Sequence, residues 1–174
     1  MGGRYLLTVT FKRGIDLKEA IKYMNTLAKY LKRRMSYSIN CEVLICVSDV
    51  TGKYGEYMTI KTGKKGRPRR EYIGTPNAWL IDRKEPHIHI LLHGRDTNRI
   101  KNYIYEHYST RRDITDTFDY TNCDFRWGSS ITYVIRQAKK RRYLVSGNEI
   151  ESPLRRWELG KYCRNIKNDA REYI

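Results

Sequence analysis

The sequence predicts an α+β domain in which helices pack on a central antiparallel sheet of about five strands. In the middle of the chain, β-rich segments follow one another with turn residues between them, which is typical of antiparallel pairing. Segments with helical periodicity and N-terminal capping residues lie on both sides of them. The 174 residues, 40% of them hydrophobic, are enough for one domain with a core. We assign residues 1–145 to this domain and residues 146–174 to a C-terminal helical extension that packs on it.

The first part of the chain predicts a strand, a helix and a second strand. Residues 4–11 are rich in β-formers and open the sheet. Asp16 caps the helix, and Glu19 stands three residues later, as in a capping box. The buried stripe of this helix consists of Leu17, Ile21, Met24, Ala28 and Leu31. Residues 37–50 predict a mostly buried strand, and residues 51–53 predict a turn after it.

The next part is less regular. Residues 57–60 and 71–73 predict two short strands that pair with each other, joined by a glycine-rich basic link over residues 62–70. This link is either a clamp on a DNA backbone or a solvated hairpin tip. Its candidate DNA contacts are Arg67, Arg69 and Arg70.

The remaining elements alternate between strands and helices. They are, in chain order, a strand over residues 77–81, a turn over 82–86, a strand that begins with histidines, a helix over 96–108, a strand over 123–127, a helix from Ser129 or Ser130 to Lys140, and a last helix from Ser152. The turn predicts that the histidine strand folds back on residues 77–81 as a hairpin. Serine precedes each of the last two helices as an N-cap.

Net charge points to a polyanionic partner. Lysine and arginine number 35 against 19 acidic residues, which leaves a formal charge of +16. Such a surface attracts nucleic acid and releases its counterions, and the 15 tyrosines offer rings on which bases can stack. The alternative is a solvated basic surface that only aids solubility.

Cysteine usage and hydropathy indicate a cytosolic protein. The four cysteines have no Cys-x-x-Cys spacing and do not predict a zinc site or a disulfide framework. We therefore expect reduced thiols and a cytoplasmic location. No apolar run has the length of a membrane span, and no lipidation motif is present.

The concentration of histidines is the strongest functional signal. Three of the four histidines lie in residues 86–94, Pro-His-Ile-His-Ile-Leu-Leu-His-Gly. On a strand, His87, His89 and Leu91 share one face, while Ile88, Ile90 and Leu92 share the other and face a core. The two imidazoles suit one metal ion, and Mg²⁺ or Mn²⁺ would need oxygen ligands besides. The alternative is a pair of partly exposed polar residues. His93 could be a third ligand, a proton carrier or a surface residue, and we favour the last two.

A second signal lies on the helix after Ser130. Tyr133 and Gln137 are four residues apart and share a helical face. A tyrosine there could attack phosphorus while Arg136 or a lysine holds the phosphate, and Gln137 could offer its amide oxygen to a metal. Ordinary packing would also explain Tyr133. Spacing alone does not select it from the other candidates, Tyr103, Tyr105, Tyr108 and Tyr143.

These residues carry a resemblance over about residues 4–143. The histidine strand resembles the His-hydrophobic-His motif of HUH single-stranded-DNA endonucleases, which include rolling-circle replication initiators and small single-tyrosine transposases. Tyr133-Val134-Ile135-Arg136 resembles the Tyr-x-x-Lys motif of the initiators, with arginine in place of lysine. Tyr133 with Gln137 is similar to the tyrosine helix of the transposases, in which a glutamine completes the metal site.

The resemblance implies a fold, a reaction and a set of site residues. The fold is an antiparallel sheet with a topology like that of RNA-recognition motifs. Tyr133 would attack single-stranded DNA or a hairpin at an origin, leaving a 5′-phosphotyrosine and a 3′-hydroxyl, while His87 and His89 would hold Mg²⁺ or Mn²⁺. Gln137 and Asp49 rank ahead of Glu42 and Asp82 as the third ligand. Further DNA contacts would be Arg136, Lys139, Lys140 and Arg141.

Two other functions remain open at this point. A single-tyrosine transposase would use the same chemistry, although the Tyr-x-x-basic pattern and the basic tail favour a replication initiator. A non-catalytic nucleic-acid-binding domain would use the basic surface without a metal. The sequence has no phosphate-binding Gly-x-x-x-x-Gly-Lys-Ser/Thr loop of a helicase, and it does not indicate an oligomeric state.

Overall fold

The protein is an α+β domain built on one antiparallel sheet, as the sequence predicts. A computed structural model describes residues 3–36, 38–54, 57–61, 63, 65–66, 69–72, 79–112, 115–122 and 127–149. The elements are β1 (Gly3–Phe11), α1 (Leu17–Arg34), β2 (Cys41–Tyr54), β3 (Tyr57–Ile60), β4 (Arg69–Tyr72), β5 (Trp79–Gly94), α2 (Thr97–Ser109), β6 (Thr115–Asn122), α3 (Trp127–Gln137), β7 (Lys140–Val145) and β8 (Asn148–Glu149). The main sheet has the order β6-β1-β5-β2-β7-β8.

Several predicted elements are confirmed with their local causes. Asp16 accepts a hydrogen bond from the backbone of Glu19 at 2.7 Å, and the Glu19 carboxylate accepts one from the backbone of Asp16 at 3.3 Å. This reciprocal capping box fixes the start of α1. Strands β3 and β4 pair as expected, with Tyr57 opposite Tyr72. Helix α2 begins immediately after Asp96.

The predicted turns at residues 51–53 and 82–86 are wrong. Both stretches continue long strands, and β2 and β5 pair with each other from Cys41 opposite Gly94 to Tyr54 opposite Trp79. The histidine strand and residues 79–81 are therefore one strand rather than a hairpin. Polar and proline residues at 82–86 resemble a turn, but a register shift within the pair accommodates Pro86 without ending either strand.

The C-terminal half differs from the prediction in three places. Strand β6 pairs with β1 and was not predicted. Helix α3 already begins at Trp127, where a strand over residues 123–127 was predicted, and it ends at Gln137 instead of Lys140. The chain leaves the helix because Lys139 donates a backbone hydrogen bond to Val47 at 2.9 Å, and β7 then pairs with β2. Residues 123–126 and the helix predicted from Ser152 lie outside the described residues.

The two faces of the sheet are covered by different helices. Helices α1 and α2 cover one face, where Ile88, Ile90 and Leu92 of β5 enter the larger core. Helix α3 covers part of the other face, and its residues Ile131, Val134 and Ile135 form a smaller cluster with Leu44, Cys46, Leu91 and Tyr143. Because strand side chains alternate, His87 and His89 lie on the α3 side. The predicted division of the histidine strand into an apolar and a histidine face is confirmed.

The cysteines of the described region are not reactive thiols, and its helices lack the properties of a membrane span. Cys41 and Cys46 are buried thiols, and burial raises the pKa of each to about 12, so neither is a thiolate near neutral pH. Among the described residues, none of the helices combines the length and hydropathy that a membrane crossing requires.

Acid should destabilise the fold through His107. This α2 side chain is buried, its ring lies 4.8 Å from that of Tyr30, and Arg111 approaches its Nδ1 at 3.4 Å. Burial and the Arg111 charge lower its pKa from 6.5 to about 4. The unfolded chain therefore binds more protons below about pH 6.5, and stability falls from there towards about pH 4, by as much as ~3 kcal/mol.

Urea unfolding of wild type and His107→Gln over that pH range measures this contribution. The variant should lose less free energy of unfolding on acidification than wild type does. Equal losses in the two proteins would show that His107 does not carry the acid sensitivity.

Candidate metal and tyrosine site

Two buried histidines stand side by side at the centre of the sheet. β5 lies between β1 and β2, so His89 is flanked by Thr8 and Cys46, and His87 by Thr10 and Ser48. The histidines are only 6% and 5% exposed, and their ring centroids are 4.8 Å apart. This burial does not match the alternative stated for the sequence, in which the two histidines are partly exposed polar residues.

Hydrogen bonds leave one nitrogen of each ring available. His87 Nδ1 lies 3.0 Å from the carbonyl oxygen of Glu85. A carbonyl only accepts, so Nδ1 carries the proton and Nε2 has the lone pair. His89 Nδ1 lies 3.1 Å from the hydroxyl of Thr8. Its Nε2 is buried and has no hydrogen-bond partner among the described residues.

Both rings are held in the neutral form that binds metals. Burial lowers the pKa of His87 and lowers that of His89 to about 3. The neighbouring ring and the charge of Lys84 contribute further at His89. Metal ligation by imidazole requires the unprotonated nitrogen, so the buried pair needs no deprotonation near neutral pH.

A strand irregularity brings Asp49 next to this pair. Ser48 lies opposite His87 but Val50 lies opposite Arg83, so Asp49 faces three residues of β5, residues 84–86. The Ser48 hydroxyl accepts from the Val50 N–H at 3.1 Å and holds the bend. Asp49 Oδ1 is buried without a hydrogen-bond partner in the described region, and its charge raises the pKa of His87.

Gln137 is a second unsatisfied group at this end of the sheet. It is the last residue of α3 and is 2% exposed, and neither atom of its amide has a hydrogen-bond partner among the described residues. Its position follows from the Lys139 bond to Val47, one residue before the partner of His87. A buried amide without partners costs about 1–3 kcal/mol, which a ligand would offset.

The unsatisfied atoms fit a divalent cation. His89 Nε2, Asp49 Oδ1 and the Gln137 amide oxygen are all buried atoms without hydrogen-bond partners in the described part of the chain. In that part, no three His, Cys, Asp or Glu side chains cluster closely enough to hold an ion by themselves. Gln137 and Asp49 are therefore both candidates for the third ligand beside His87 and His89, and the charge of Asp49 also acts on His87.

Of the candidate tyrosines named from the sequence, Tyr133 is the one that lies at the histidine pair. Its half-buried ring meets that of His89 edge-on, with centroids 5.7 Å apart. Tyr103, Tyr105 and Tyr108 lie on α2, which packs on the opposite face of the sheet. Tyr143 shares the α3 face but is buried opposite Leu44 in the apolar cluster. The packing thus makes the selection that spacing could not.

The other acidic candidates lie elsewhere. Glu42 is opposite His93, and its Oε2 is 3.8 Å from His93 Nδ1. Four strand residues, about 13 Å, separate this pair from His89. Asp82 pairs with Thr51 further along β5, and its side chain lies outside the described part.

Comparison of the chain with protein-family models, curated proteins and solved structures found no match. The assignment of this site consequently depends on its own chemistry and on the resemblance in its sequence motifs.

Basic side chains border the site. Arg141 is exposed and lies opposite Cys46, which in turn lies opposite His89, so the three share one row across the sheet. Lys139 and Lys140 are exposed at the start of the same strand region. Arg67 and the side chains of Arg69, Arg70 and Arg136 lie outside the described residues. Two neighbours were missed in the sequence: Thr8, which only the strand register reveals, and Lys84, whose charge lowers the pKa of both histidines.

Replacing Gln137 by leucine should stabilise the metal-free protein and weaken its binding of Mn²⁺. The variant keeps the volume but removes the buried amide, so the metal-free protein should gain about 1–3 kcal/mol in free energy of unfolding. Mn²⁺ affinity, measured by titration calorimetry, should fall at least about tenfold. Asp49→Asn is the matched comparison and should weaken Mn²⁺ binding less. A destabilised Gln137→Leu with unchanged Mn²⁺ affinity would remove Gln137 from the site.

Proposed function

We propose that this protein is a metal-dependent, tyrosine-nucleophile endonuclease that nicks and rejoins single-stranded DNA to initiate rolling-circle replication. One observation carries the proposal. The ring of Tyr133 lies against that of His89, whose Nε2 is buried without a hydrogen-bond partner among the described residues. A nucleophile beside an unsatisfied metal ligand, on a basic protein, is the arrangement that phosphodiester cleavage needs.

The chemistry of the chain's own residues is a transesterification. Tyr133 Oη attacks the phosphorus, and the P–O3′ bond breaks as the P–Oη bond forms. The phenol proton passes to solvent and the departing O3′ takes up a proton, which leaves a 5′-phosphotyrosine and a 3′-hydroxyl. Because the phosphotyrosine ester conserves the energy of the broken phosphodiester bond, a 3′-hydroxyl can reverse the step without a nucleotide cofactor.

A cation would occupy the acceptors that the fold leaves unsatisfied. His87, His89 and Gln137 would hold it, with Asp49 nearby, and when bound it would supply Lewis-acid polarisation of a phosphate oxygen. Mn²⁺ suits this mixed nitrogen and oxygen set better than Mg²⁺, which prefers oxygen alone. Arg141 is exposed on the face of the histidine pair, and Lys139 and Lys140 are exposed beside it at the start of β7. There the three cations would attract the phosphates on either side of the scissile bond.

A search for a covalent adduct tests the proposal. The protein is incubated with Mn²⁺ and a set of end-labelled single-stranded hairpin oligonucleotides, then denatured and separated by electrophoresis. We expect a denaturation-resistant protein–DNA band that chelation prevents. Binding of the same oligonucleotides without a band under any metal condition would favour a non-catalytic nucleic-acid-binding domain.

A single-tyrosine transposase is the second candidate, favoured by one observation. Gln137 is buried at the end of α3, four residues after Tyr133, and the resemblance attributes such a glutamine to transposases. The two roles differ in assembly and substrate. A stable dimer that joins two DNA ends would indicate transposition, whereas cleavage of an origin-like hairpin by a monomer would indicate initiation.

A further inference from the structure

A row of cations runs along the outward side of α1, on the far side of the sheet from the histidine pair. Lys18, Lys22, Lys29 and Arg33 are spaced four, seven and four residues apart, so they fall on one line of the helix. All four are exposed. The buried residues of α1, among them Met24 and Leu31, point the other way into the core. The row extends over about 22 Å.

Helix stability does not explain this row. Like charges four residues apart destabilise a helix by a few tenths of a kcal/mol, and the row contains two such pairs, Lys18 with Lys22 and Lys29 with Arg33. Lys18 also stands in the first turn, where the helix dipole disfavours a cation. Within the described part of the chain, no carboxylate pairs with the four side chains, and the acid of α1, Glu19, is engaged in the capping box. Lys32, off the row, pairs with Glu149 at 3.3 Å.

Tyr30 and Tyr103, two aromatic residues near the row, are already covered by arginines. The guanidinium of Arg34 lies 5.2 Å from the ring of Tyr30 and 5.6 Å from that of Tyr103. Arg99 lies 5.8 Å from the ring of Tyr103 and donates to its hydroxyl at 2.9 Å. Single strands bind by stacking their bases on open rings. Here the rings instead orient cations, which favours a partner that presents phosphates and hides its bases.

We propose that the α1 row is a second nucleic-acid site that binds the sugar–phosphate backbone of a duplex. Its length matches about six to seven base-pair steps at 3.4 Å each. A lipid surface fits less well, because an interfacial helix inserts apolar residues and those of α1 are committed to the core. The site lies on the opposite side of the sheet from Tyr133, so the protein would hold duplex on one side and single strand on the other. The single-strand half of this arrangement rests on the proposed function, whereas the duplex site does not.

Duplex binding measured as a function of salt tests the row. Fluorescence anisotropy would use a labelled DNA duplex of about 20 base pairs, its RNA counterpart, and wild-type protein against the variant K18Q/K22Q/K29Q/R33Q. Glutamine keeps helix propensity, so the variant should melt at or above the wild-type temperature. Removal of four phosphate contacts should weaken duplex binding at least about a hundredfold near 0.1 M salt and lower the log–log salt slope by about 3 to 4.

A comparison variant on the histidine side of the sheet distinguishes a local duplex site on α1 from a general effect of net positive charge. K84Q/K139Q/R141Q removes three exposed cations beside the histidine pair and should keep most duplex affinity. If both variants lose duplex binding equally, or if the α1 variant loses none, the row is not a site. Binding to phosphatidylserine vesicles but to neither duplex would also overturn the proposal. Should the quadruple variant fail to fold, K18Q/K22Q and K29Q/R33Q should each remove about half of the salt slope.

The two proposals can fail separately. The α1 variant should still form the adduct with a short single-stranded oligonucleotide, because the row is remote from Tyr133. No adduct with wild type, but row-dependent duplex binding, would reject the nicking function and keep the duplex site.

Discussion

Replacement of His87 or His89 by alanine is expected to abolish Mn²⁺ binding and to lower the nicking rate by about a thousandfold or more. Metal polarisation of a phosphate oxygen contributes several kcal/mol to the transition state, and each 1.36 kcal/mol is about tenfold in rate. Each ring is expected to be essential because the proposed site takes one nitrogen ligand from each histidine. Calorimetry with Mn²⁺ gives the affinity, and single-turnover cleavage of a labelled hairpin gives the rate.

His93→Ala is the control on the same strand and face. His93 lies beside Glu42, four residues beyond His89, and should leave Mn²⁺ binding and nicking within about twofold of wild type. Urea unfolding should show that all three variants fold. If His87→Ala and His89→Ala bind Mn²⁺ and cut like wild type, the histidines are not the metal site.

Tyr133→Phe is expected to eliminate the covalent adduct while it preserves the fold and DNA affinity. The substitution removes only the hydroxyl and keeps the ring that packs against His89, so single-strand binding and Mn²⁺ binding should remain within about twofold. Loss of a catalytic nucleophile costs orders of magnitude in rate. Denaturing electrophoresis measures the adduct, and anisotropy measures the binding.

Tyr105→Phe is the tyrosine control for this experiment. Tyr105 is 58% exposed on α2, on the other side of the sheet, and its variant should form the adduct at the wild-type rate. An undiminished adduct with Tyr133→Phe would assign the nucleophile to another side chain.

The fold class and the histidine face were predictable because local rules govern them. Strict alternation in β5 separates Ile88 and Ile90 from the two histidines, and a capping box starts α1. The misplaced turns and strands depend on tertiary pairing instead. Residues 82–86 resemble a turn in isolation and continue a strand only because β2 extends beside them. Strand β7 begins with three cations, so the pattern of apolar residues does not predict its pairing with β2.

For the candidate site, too, some features follow from local periodicity and others depend on tertiary structure. The histidine pair follows from strand periodicity, and the Tyr133–Gln137 spacing follows from helical periodicity. Which tyrosine meets the pair depends on the sheet face that each helix covers, and this is set by the whole topology. The third ligand was open because the bulge at Asp49 and the end of α3 at Gln137 both depend on long-range hydrogen bonds.

Identification of the residue that carries DNA tests the central claim most directly. Wild-type protein would be trapped with a cleavable hairpin and Mn²⁺, digested with protease and nuclease, and analysed by tandem mass spectrometry. We expect a 5′-nucleotide attached through phosphate to Tyr133, formed with Mn²⁺ and absent from the His87→Ala and His89→Ala proteins. A nucleotide on any other residue, or an adduct at Tyr133 that forms equally well without the two histidines, would contradict the proposed division between a metal-binding histidine pair and a tyrosine nucleophile.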